Sequence, residues 1–290
     1  MNLALIISTC TTIFFGLVAI ILSIKKDRKE KFSIRDSRDA KYNSVEEEFV
    51  HMMVHELRSP LTSIKDASEL LITSASSLTE GEKEQFLKII NRQSKSLLEQ
   101  IASILDAAKF ESGTFVLDRK NENIRDLINE RIKMFEPQVT RKKITISSHI
   151  EGPIPPVYLD CIRIDQVLNN LISNSIKFTP SGGKVWIEAK AVDRNVEISI
   201  SDTGIGIEKE LQDKIFSKFN QIKTPDIQDE RIGSGLGLYI AKKIIDAHKG
   251  SIEVQSEAGK GTSMKFTLPI LDQAEIQESA PLPAQYTFPN

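Results

Sequence analysis

The chain has 290 residues, of which 40% are hydrophobic and 27% are charged, a composition typical of about two globular domains. Its formal net charge of -2 argues against nucleic acid as a partner, because nucleic-acid binding normally requires a concentrated basic face. The two cysteines, Cys10 and Cys161, lie far apart in the chain and favour neither a zinc cluster nor a disulfide framework.

Residues 2–24 contain no charged side chain, and this segment is about as long as a helix that crosses a bilayer. A cleaved signal peptide is the alternative, but no Lys or Arg precedes the apolar run and no small-x-small site ends it. Basic residues follow directly: Lys25, Lys26, Arg28, Lys29 and Lys31. By the positive-inside tendency they keep the C-terminal side in the cytoplasm. The sequence predicts a single-pass transmembrane anchor at 1–24, in the inner (plasma) membrane, and a juxtamembrane linker at 25–44.

Residues 45–74 show the apolar spacing of an amphipathic helix. One predicted face is apolar: Phe49, Met53, Leu57, Leu61, Ile64, Leu71 and Ile72. The opposite face is polar: His55, Thr62, Asp66 and Glu69. Glu56, next to His55, can accept the ring proton or hold the tautomer, which makes the other ring nitrogen a better nucleophile. The alternative interpretation of His55 is an ordinary polar residue on a solvated helix face.

A second helix is predicted to begin after Thr79 and to end before Gly113. Thr79 and Glu82 match the Thr-x-x-Glu capping box, and an apolar seam follows: Phe86, Ile90, Leu97, Ile101, Ile104 and Ala108. Two helices joined by a short turn form a hairpin, and a second copy is the simplest partner for its apolar stripe. We therefore expect a homodimer with a four-helix bundle, and a simple coiled-coil spacer is the alternative.

From Phe115 onward the pattern becomes mixed. Strands are predicted at 115–118, 144–150, 184–192, 196–201, 252–256 and 263–268, and helices at 124–135, 162–178 and 236–248. This order predicts an α/β domain, residues 114–272, in which helices pack on a mixed sheet. Residues 273–290 contain three prolines and little periodicity, which predicts a disordered tail.

The run from His55 to Pro60, His-Glu-Leu-Arg-Ser-Pro, resembles the phosphoacceptor box of bacterial two-component sensor histidine kinases. The resemblance implies that His55 accepts a phosphoryl group from ATP, with Glu56 as the candidate base. In that family a Thr or Asn four residues after the histidine can orient a water that hydrolyses the regulator's phosphoryl group. Ser59 stands at this position, and because it lacks threonine's β-methyl group, we expect a weak phosphatase activity.

Further segments resemble the ATP site of these kinases and of the superfamily that includes DNA gyrase and a heat-shock chaperone. The N box contains Asn170, Asn174, Lys177 and Phe178. The G1 box contains Asp202, Gly204 and Gly206. The F box contains Phe216 and Phe219. The G2 box contains Gly233, Gly235, Leu236, Gly237 and Leu238. A late element of the pocket ends at Thr262.

This resemblance implies a site for ATP and Mg²⁺. Asp202 accepts a hydrogen bond from the adenine amino group, glycines let the backbone approach the base, and the glycine-rich start of a helix binds phosphates. A neutral amide oxygen suits Mg²⁺, so Asn174 is the expected metal ligand, with Asn170 beside it, and Lys177 supplies charge for phosphate. The segment 208–232 is expected to be a mobile lid. Candidate phosphate contacts lie within it: Lys218, Lys223 and Arg231.

Together these patterns predict a membrane-anchored sensor histidine kinase. Its dimerisation and phosphotransfer domain spans residues 45–113, and it passes the phosphoryl group from His55 to an aspartate in the receiver domain of a separate response regulator. A sensory membrane protein is a further expected partner. The alternatives are an ATP-gated clamp or chaperone-like ATPase, and a signalling scaffold with an inactive site.

Overall fold

The structure is a computed structural model that describes residues 39–218, 220 and 235–271. The described chain divides between Glu56 and Leu57 into two parts. The predicted anchor at 1–24 and the predicted tail at 273–290 lie outside the described residues. None of the helices in the described ranges combines the length and the apolar character that a bilayer crossing requires.

The first described helix, α1, runs from Asp39 to Thr73 and begins before the predicted start at Val45. Thr62, Asp66 and Glu69 are exposed, as their predicted position on a polar face requires. Ile72, which the helical period placed on the apolar face, is 57% exposed instead. Hydroxyl groups bond back to the carbonyl four residues earlier at three places: Ser63 to Ser59, Ser68 to Ile64 and Thr73 to Glu69.

The second helix, α2, spans Glu80–Ser112 and begins where the capping signature predicts. The Thr79 side chain accepts a hydrogen bond from the Glu82 backbone N–H, and the Glu82 carboxylate accepts one from the Thr79 N–H at 2.8 Å. The helix ends at Gly113, whose φ of 69° is a left-handed conformation that glycine adopts without strain. The helical character predicted for this region is confirmed, since two long helices flank the short turn at 74–79.

The rest of the described chain forms an α/β layer. The strands are β1 (Lys120–Glu122), β2 (Thr145–Glu151), β3 (Val157–Leu159), β4 (Lys184–Val192), β5 (Asn195–Asp202), β6 (Ile252–Glu257) and β7 (Gly261–Pro269). The helices are α3 (Ile124–Lys142), α4 (Cys161–Phe178), α5 (Lys209–Gln212) and α6 (Gly237–Ala247).

The main sheet has five strands in the order β2-β4-β5-β7-β6, and β1 pairs with β3 in a separate two-stranded sheet. Strand β2 runs parallel to β4, whereas the other neighbours in the main sheet are antiparallel. The predicted α/β domain with a mixed sheet is therefore confirmed. The register places Asp202, the last residue of β5, opposite Thr262 of β7, so two predicted site residues meet at one end of the sheet.

The core lies between the sheet and the helices because one face of each element is apolar. In β5 alternate residues such as Ile198 and Ile200 are fully buried. In α4 the buried residues recur at the helical period: Ile164, Val167, Leu168, Leu171, Ile172 and Ile176. Each such side chain contributes about 1.5–3 kcal/mol on burial, so α4 is held firmly against the sheet. Its polar face, with Asn170 and Asn174, is positioned by this packing.

Three sequence predictions about elements in this domain need correction. Residues 115–118 form no strand, because Phe115 stacks on Phe110 of α2 and the Asp118 N–H donates to the Asp160 carboxylate; the strand begins at Lys120. Helix α3 does not end at residue 135 but continues through Pro137 to Lys142, since both Phe135 and Val139 are buried in the core. The short elements β3 and α5 were not predicted.

Candidate functional site

Helix α1 contains the predicted phosphoacceptor run. His55 and Glu56 lie in its helical backbone, and their side chains lie outside the described part of the structure. The Ser59 side chain is exposed, and its carbonyl accepts a hydrogen bond from the Ser63 hydroxyl at 3.2 Å. The roles of these three residues remain predictions.

Asp202 ends strand β5 as a buried carboxylate. Its Oδ1 accepts hydrogen bonds from the backbone N–H of Gly204 at 2.9 Å and of Thr262 at 3.2 Å, and the Ser175 hydroxyl of α4 is a further partner. Burial raises the pKa of Asp202, and these hydrogen bonds offset part of that rise. A buried carboxylate whose Oδ1 is held by two backbone donors is suited to accept a further hydrogen bond from an amino group of a ligand.

The glycines after Asp202 are required by the close packing of this loop. A Cβ at Gly204 would lie 2.7 Å from Asp202 Oδ1 and 2.7 Å from the Phe178 carbonyl oxygen. Gly206 has a φ of 69°, and a Cβ there would collide with the Glu257 carbonyl. The family resemblance predicts that these glycines let the backbone approach an adenine. The structure adds a reason within the protein, because the loop packs directly against the end of α4 and the β6–β7 turn.

A network of hydrogen bonds that includes two hydroxyl groups holds Thr262 in place. The Thr262 hydroxyl lies 2.9 Å from the Ser256 hydroxyl, which accepts from the Ile207 N–H at 2.8 Å and donates to the Gly261 carbonyl at 2.8 Å. Gln212 of α5 donates from Nε2 to the carbonyls of Ile207 and Ser256. This network, which the sequence analysis missed, fixes the loop 203–207 relative to β6 and β7.

Asn170 joins the N box to the G2 box. Its Nδ2 donates to the Gly237 carbonyl at 3.1 Å, and a Cβ at Gly237 would lie 3.3 Å from Asn170 Oδ1. The structure thus brings together two predicted site segments that are far apart in the chain. Since the amide nitrogen is engaged, the amide oxygen is the atom that Asn170 can offer to a cation.

Asn174 lies one turn after Asn170 on the same face of α4 and is half-buried. Among the described residues there is no group of three or more His, Cys, Asp and Glu side chains that could hold a metal ion. The amide oxygens of Asn170 and Asn174 are hard, neutral donors that would suit Mg²⁺ with its remaining positions left to phosphates and water.

Helix α6 begins at Gly237 beside this amide. Gly235 has a φ of 66°, Leu236 is buried, and no side chain of the N-cap residue bonds to the first turn. Backbone N–H groups of the first turn of a helix favour anions, and the phosphate role of this segment stays a prediction. Leu238 packs against the domain core, whereas Gly233 lies outside the described residues.

The remaining predicted residues occupy varied places. Lys177 Nζ lies 5.1 Å from the centre of the Phe178 ring, and the Phe178 carbonyl accepts a hydrogen bond from the Ile205 N–H at 3.3 Å. Phe216 is half-buried against the core. Three residues of the predicted F box and lid lie outside the described residues: Phe219, Lys223 and Arg231.

His248, which the sequence analysis did not select, links the ends of two site helices. Its Nε2 accepts from the Asp160 N–H at 3.0 Å, while Nδ1 lies 2.8 Å from the Ile244 carbonyl, which fits a neutral ring with its proton on Nδ1. Burial lowers the pKa of His248. Asp160 in turn caps α4 by accepting from the Arg163 N–H at 3.1 Å. The two residues are 88 positions apart, so no local pattern could reveal the pair.

A second group of residues, which could not be predicted from the sequence, holds α2 against the α/β domain. Asp106 is 5% exposed, and its Oδ2 accepts from Arg163 Nη1 at 2.6 Å and from Gln166 Nε2 at 3.1 Å. The Phe110 and Phe115 rings stack with centres 3.8 Å apart, and the Arg163 guanidinium lies 4.9 Å from the Phe115 ring centre. Arg163 and Gln166 lie on α4, the helix that carries Asn170 and Asn174.

Two family models match the chain. Residues 45–113 match the His Kinase A (phospho-acceptor) domain, and residues 159–272 match the histidine kinase-, DNA gyrase B-, and HSP90-like ATPase.

Individual relatives agree with these matches. The circadian input-output histidine kinase CikA of Thermosynechococcus vestitus is 35% identical over 231 residues, which cover 78% of this chain and 31% of that protein. Full-length ShkA in complex with AMPPNP has a TM-score of 0.58 at 26% identity, covering 77% of this chain and 45% of that one. The histidine kinase ThkA in complex with the response regulator protein TrrA has a TM-score of 0.56 at 26% identity, covering 80% and 64%. The chain spans about a third of the length of the first curated relatives it matches.

Proposed function

Because this chain belongs to the family of two-component sensor histidine kinases, we propose that it binds Mg-ATP and transfers the γ-phosphoryl group to His55. Two contacts between distant segments carry the proposal: Thr262 with Asp202, and Asn170 with Gly237. Both reach helix α4, because Asp202 also bonds to Ser175 and Asn170 belongs to that helix. These contacts belong to a chain whose helix α1 contains a histidine box, and a chain similar to this one is known in complex with AMPPNP.

Different residues of the site contact different parts of the nucleotide. The Asp202 carboxylate accepts from the adenine amino group, because its Oδ1 is already held by two backbone donors. The start of α6 and Lys177 attract the phosphates. Asn174, with Asn170 beside it, holds Mg²⁺, which supplies charge neutralisation for the phosphates when it is bound.

At the acceptor, a ring nitrogen of His55 forms the new P–N bond while the bond from the γ-phosphorus to the bridging oxygen breaks and ADP leaves. Glu56 is the base that takes the proton from the ring, so that charge does not accumulate on the imidazole. Positioning and charge neutralisation supply most of the rate enhancement in phosphoryl transfer, which fits a pocket built mainly from backbone and amide groups.

The phosphoryl group then passes to an aspartate in the receiver domain of a separate response regulator. The complex of ThkA with response regulator protein TrrA supports this partner. The present chain forms a homodimer through α1 and α2, in line with the match of its residues 45–113 to the phosphoacceptor domain.

Ser59 gives the same protein a weak phosphatase activity toward its regulator, because its exposed hydroxyl can orient a water. Ser59→Thr should speed the decay of phosphorylated regulator in the presence of ADP without loss of autophosphorylation. A Ser59→Ala variant that equals wild type would refute this role.

Residues 1–24 anchor the kinase in the inner (plasma) membrane, with the catalytic part in the cytoplasm. The support is the absence of charge from residues 2–24 and the basic residues that follow them. A sensory membrane protein is then a natural source of the signal.

Labelled γ-phosphate ATP separates this function from its two alternatives. A kinase gives acid-labile, base-stable label on the protein, an ATP-gated clamp or chaperone-like ATPase releases free phosphate alone, and a scaffold does neither. His55→Gln should abolish the label while ATP binding survives, because the nucleotide residues come from other elements. Label that persists on His55→Gln, or that moves to His51, would contradict the assignment.

A further inference from the structure

Lys218 lies where helix α2 and the candidate phosphate site come together. Its ammonium forms an ion pair with the Glu111 carboxylate in the last turn of α2. The same ammonium lies 5.3 Å from the centre of the Tyr239 ring. The two charged side chains are partly accessible, with exposed fractions of 34% for Lys218 and 49% for Glu111. The pair is therefore reachable by a dissolved anion.

Tyr239 places Lys218 close to the start of α6. It belongs to the first turn of that helix, two residues after Gly237, and it is 8% exposed, so its ring is a fixed surface. A second ammonium, that of Lys243, lies 5.7 Å from the same ring. Two cations thus lie against the ring of Tyr239, a residue in the first turn of a helix whose N-terminus attracts anions. Phosphate oxygens at this helix start would compete with Glu111 for Lys218.

The position of Glu111 is set by the docking of α2. The buried Asp106 carboxylate is held by Arg163, the Phe110 ring stacks on Phe115, and Ala107 lies in the domain core. These contacts occupy the two turns of α2 that end at Glu111. The acidic side chain is therefore held beside Lys218 by packing.

We infer that Glu111 competes with the terminal phosphates of the nucleotide for Lys218, so that the docked end of α2 restrains nucleotide binding. The inference rests on the proposed nucleotide site and adds a regulatory contact to it. In the docked arrangement Glu111 holds the Lys218 ammonium in an ion pair. When the end of α2 is displaced, Glu111 no longer competes with the phosphates for Lys218, and nucleotide affinity rises.

The test compares binding of AMPPNP and of adenosine to the full-length chain and its variants. Glu111→Gln keeps the size of the side chain and removes its charge, so AMPPNP affinity should rise about two- to fivefold, the range expected for a partly exposed ion pair. Adenosine has no phosphate, and its affinity should not change. Glu84→Gln is the matched control, because Glu84 lies on the same helix and pairs with Lys88 within it.

A double-variant comparison identifies the competing cation. In a Lys218→Gln background the Glu111→Gln change should no longer alter AMPPNP affinity. The difference in AMPPNP affinity between wild type and Glu111→Gln should also become smaller at high salt, since the ion pair is partly exposed. An unchanged or weakened AMPPNP affinity in Glu111→Gln overturns the inference, as does an equal gain for adenosine. If wild type binds no AMPPNP, the proposed function itself fails, and this result is distinct from the others.

Discussion

At the scale of single residues, Asp202 shows how the pocket can select its base. The backbone N–H groups of Gly204 and Thr262 fix Oδ1. In Asp202→Asn the amide oxygen would keep these two bonds, and the amide NH₂ would then face the adenine amino group, donor against donor. We expect ATP affinity to fall about ten- to a hundredfold, the loss of a hydrogen bond to a charged group.

Isothermal titration with ATP and GTP checks this prediction for Asp202. The same amide NH₂ can donate to the guanine carbonyl, so the preference for ATP over GTP should narrow in Asp202→Asn. Thermal unfolding is the control for folding, since removing a buried charge should leave the melting temperature intact or raise it. Wild-type ATP affinity in Asp202→Asn would show that the carboxylate does not contact the base.

His248 makes the stability of the ATP-binding domain sensitive to acid. Its pKa is lowered by burial, whereas in the unfolded chain it has the ordinary value of about 6.5. Below that value the unfolded state binds more protons than the folded state, so stability is present above pH 6.5 and falls as the pH drops. The slope reaches at most about 1.4 kcal/mol per pH unit for one group.

Urea unfolding between pH 8 and pH 5 measures this dependence for His248. We expect His248→Gln to be less stable at pH 8, because it loses a buried acceptor for the Asp160 N–H, and to lose less stability on acidification. His149→Gln is the matched control, since His149 is exposed on β2. An identical pH dependence in wild type and His248→Gln would show that another group titrates.

At the scale of elements, the contact between α2 and α4 depends on an ion pair in which Asp106 is buried and Arg163 is partly exposed. Asp106→Ala would leave Arg163 and Gln166 without their shared acceptor. Because Arg163 is partly exposed, at 23%, we expect a loss nearer about 1–3 kcal/mol than the full cost of a broken buried pair. Hydrogen exchange should increase in the last turns of α2 and in residues 113–119.

A double variant separates charge from packing at this contact. Asp106→Leu combined with Arg163→Met replaces the pair with apolar groups, so it should recover most of the protection lost in Asp106→Ala. Asp118→Ala is the control, because Asp118 forms an exposed pair with Lys120. Unchanged exchange in Asp106→Ala would mean that aromatic stacking alone holds α2 in place.

At the scale of the whole molecule, we expect a second copy of the chain to cover the exposed leucines on α2. Leu87, Leu98 and Leu105 are 58%, 66% and 49% exposed, and their spacing places them on one stripe of the helix. An apolar stripe of this length is normally buried in an interface. We expect this stripe to form part of the interface of the proposed homodimer, beside the apolar seam predicted from the sequence.

Leu98→Glu should convert the dimer to a monomer, because it places a charge in the middle of that stripe. Light scattering coupled to size-exclusion chromatography measures the mass directly. Met134→Glu is the matched control, since Met134 is a 64% exposed apolar residue on α3 of the ATP-binding domain. If Leu98→Glu remains dimeric, the interface uses another face of the helices.

What the sequence determined by itself is local or periodic. The capping box at Thr79 and Glu82, the helical period of α4 and the alternation in β5 each depend on residues a few positions apart, so their elements could be predicted. The glycine-rich boxes were recognisable for the same reason, although only the structure showed that Gly204 and Gly206 are needed for packing within the protein.

Only the tertiary structure decided which distant groups meet. Asp106 and Arg163 are 57 positions apart, and Asp160 and His248 are 88 positions apart. No sequence period links such residues, because their contact depends on how helices pack on the sheet. Packing likewise decided that α3 continues through Pro137 and that residues 115–118 lie against α2 instead of forming a strand. Burial of apolar surface outweighed local preference at these places, since a few buried side chains contribute more free energy than one backbone hydrogen bond.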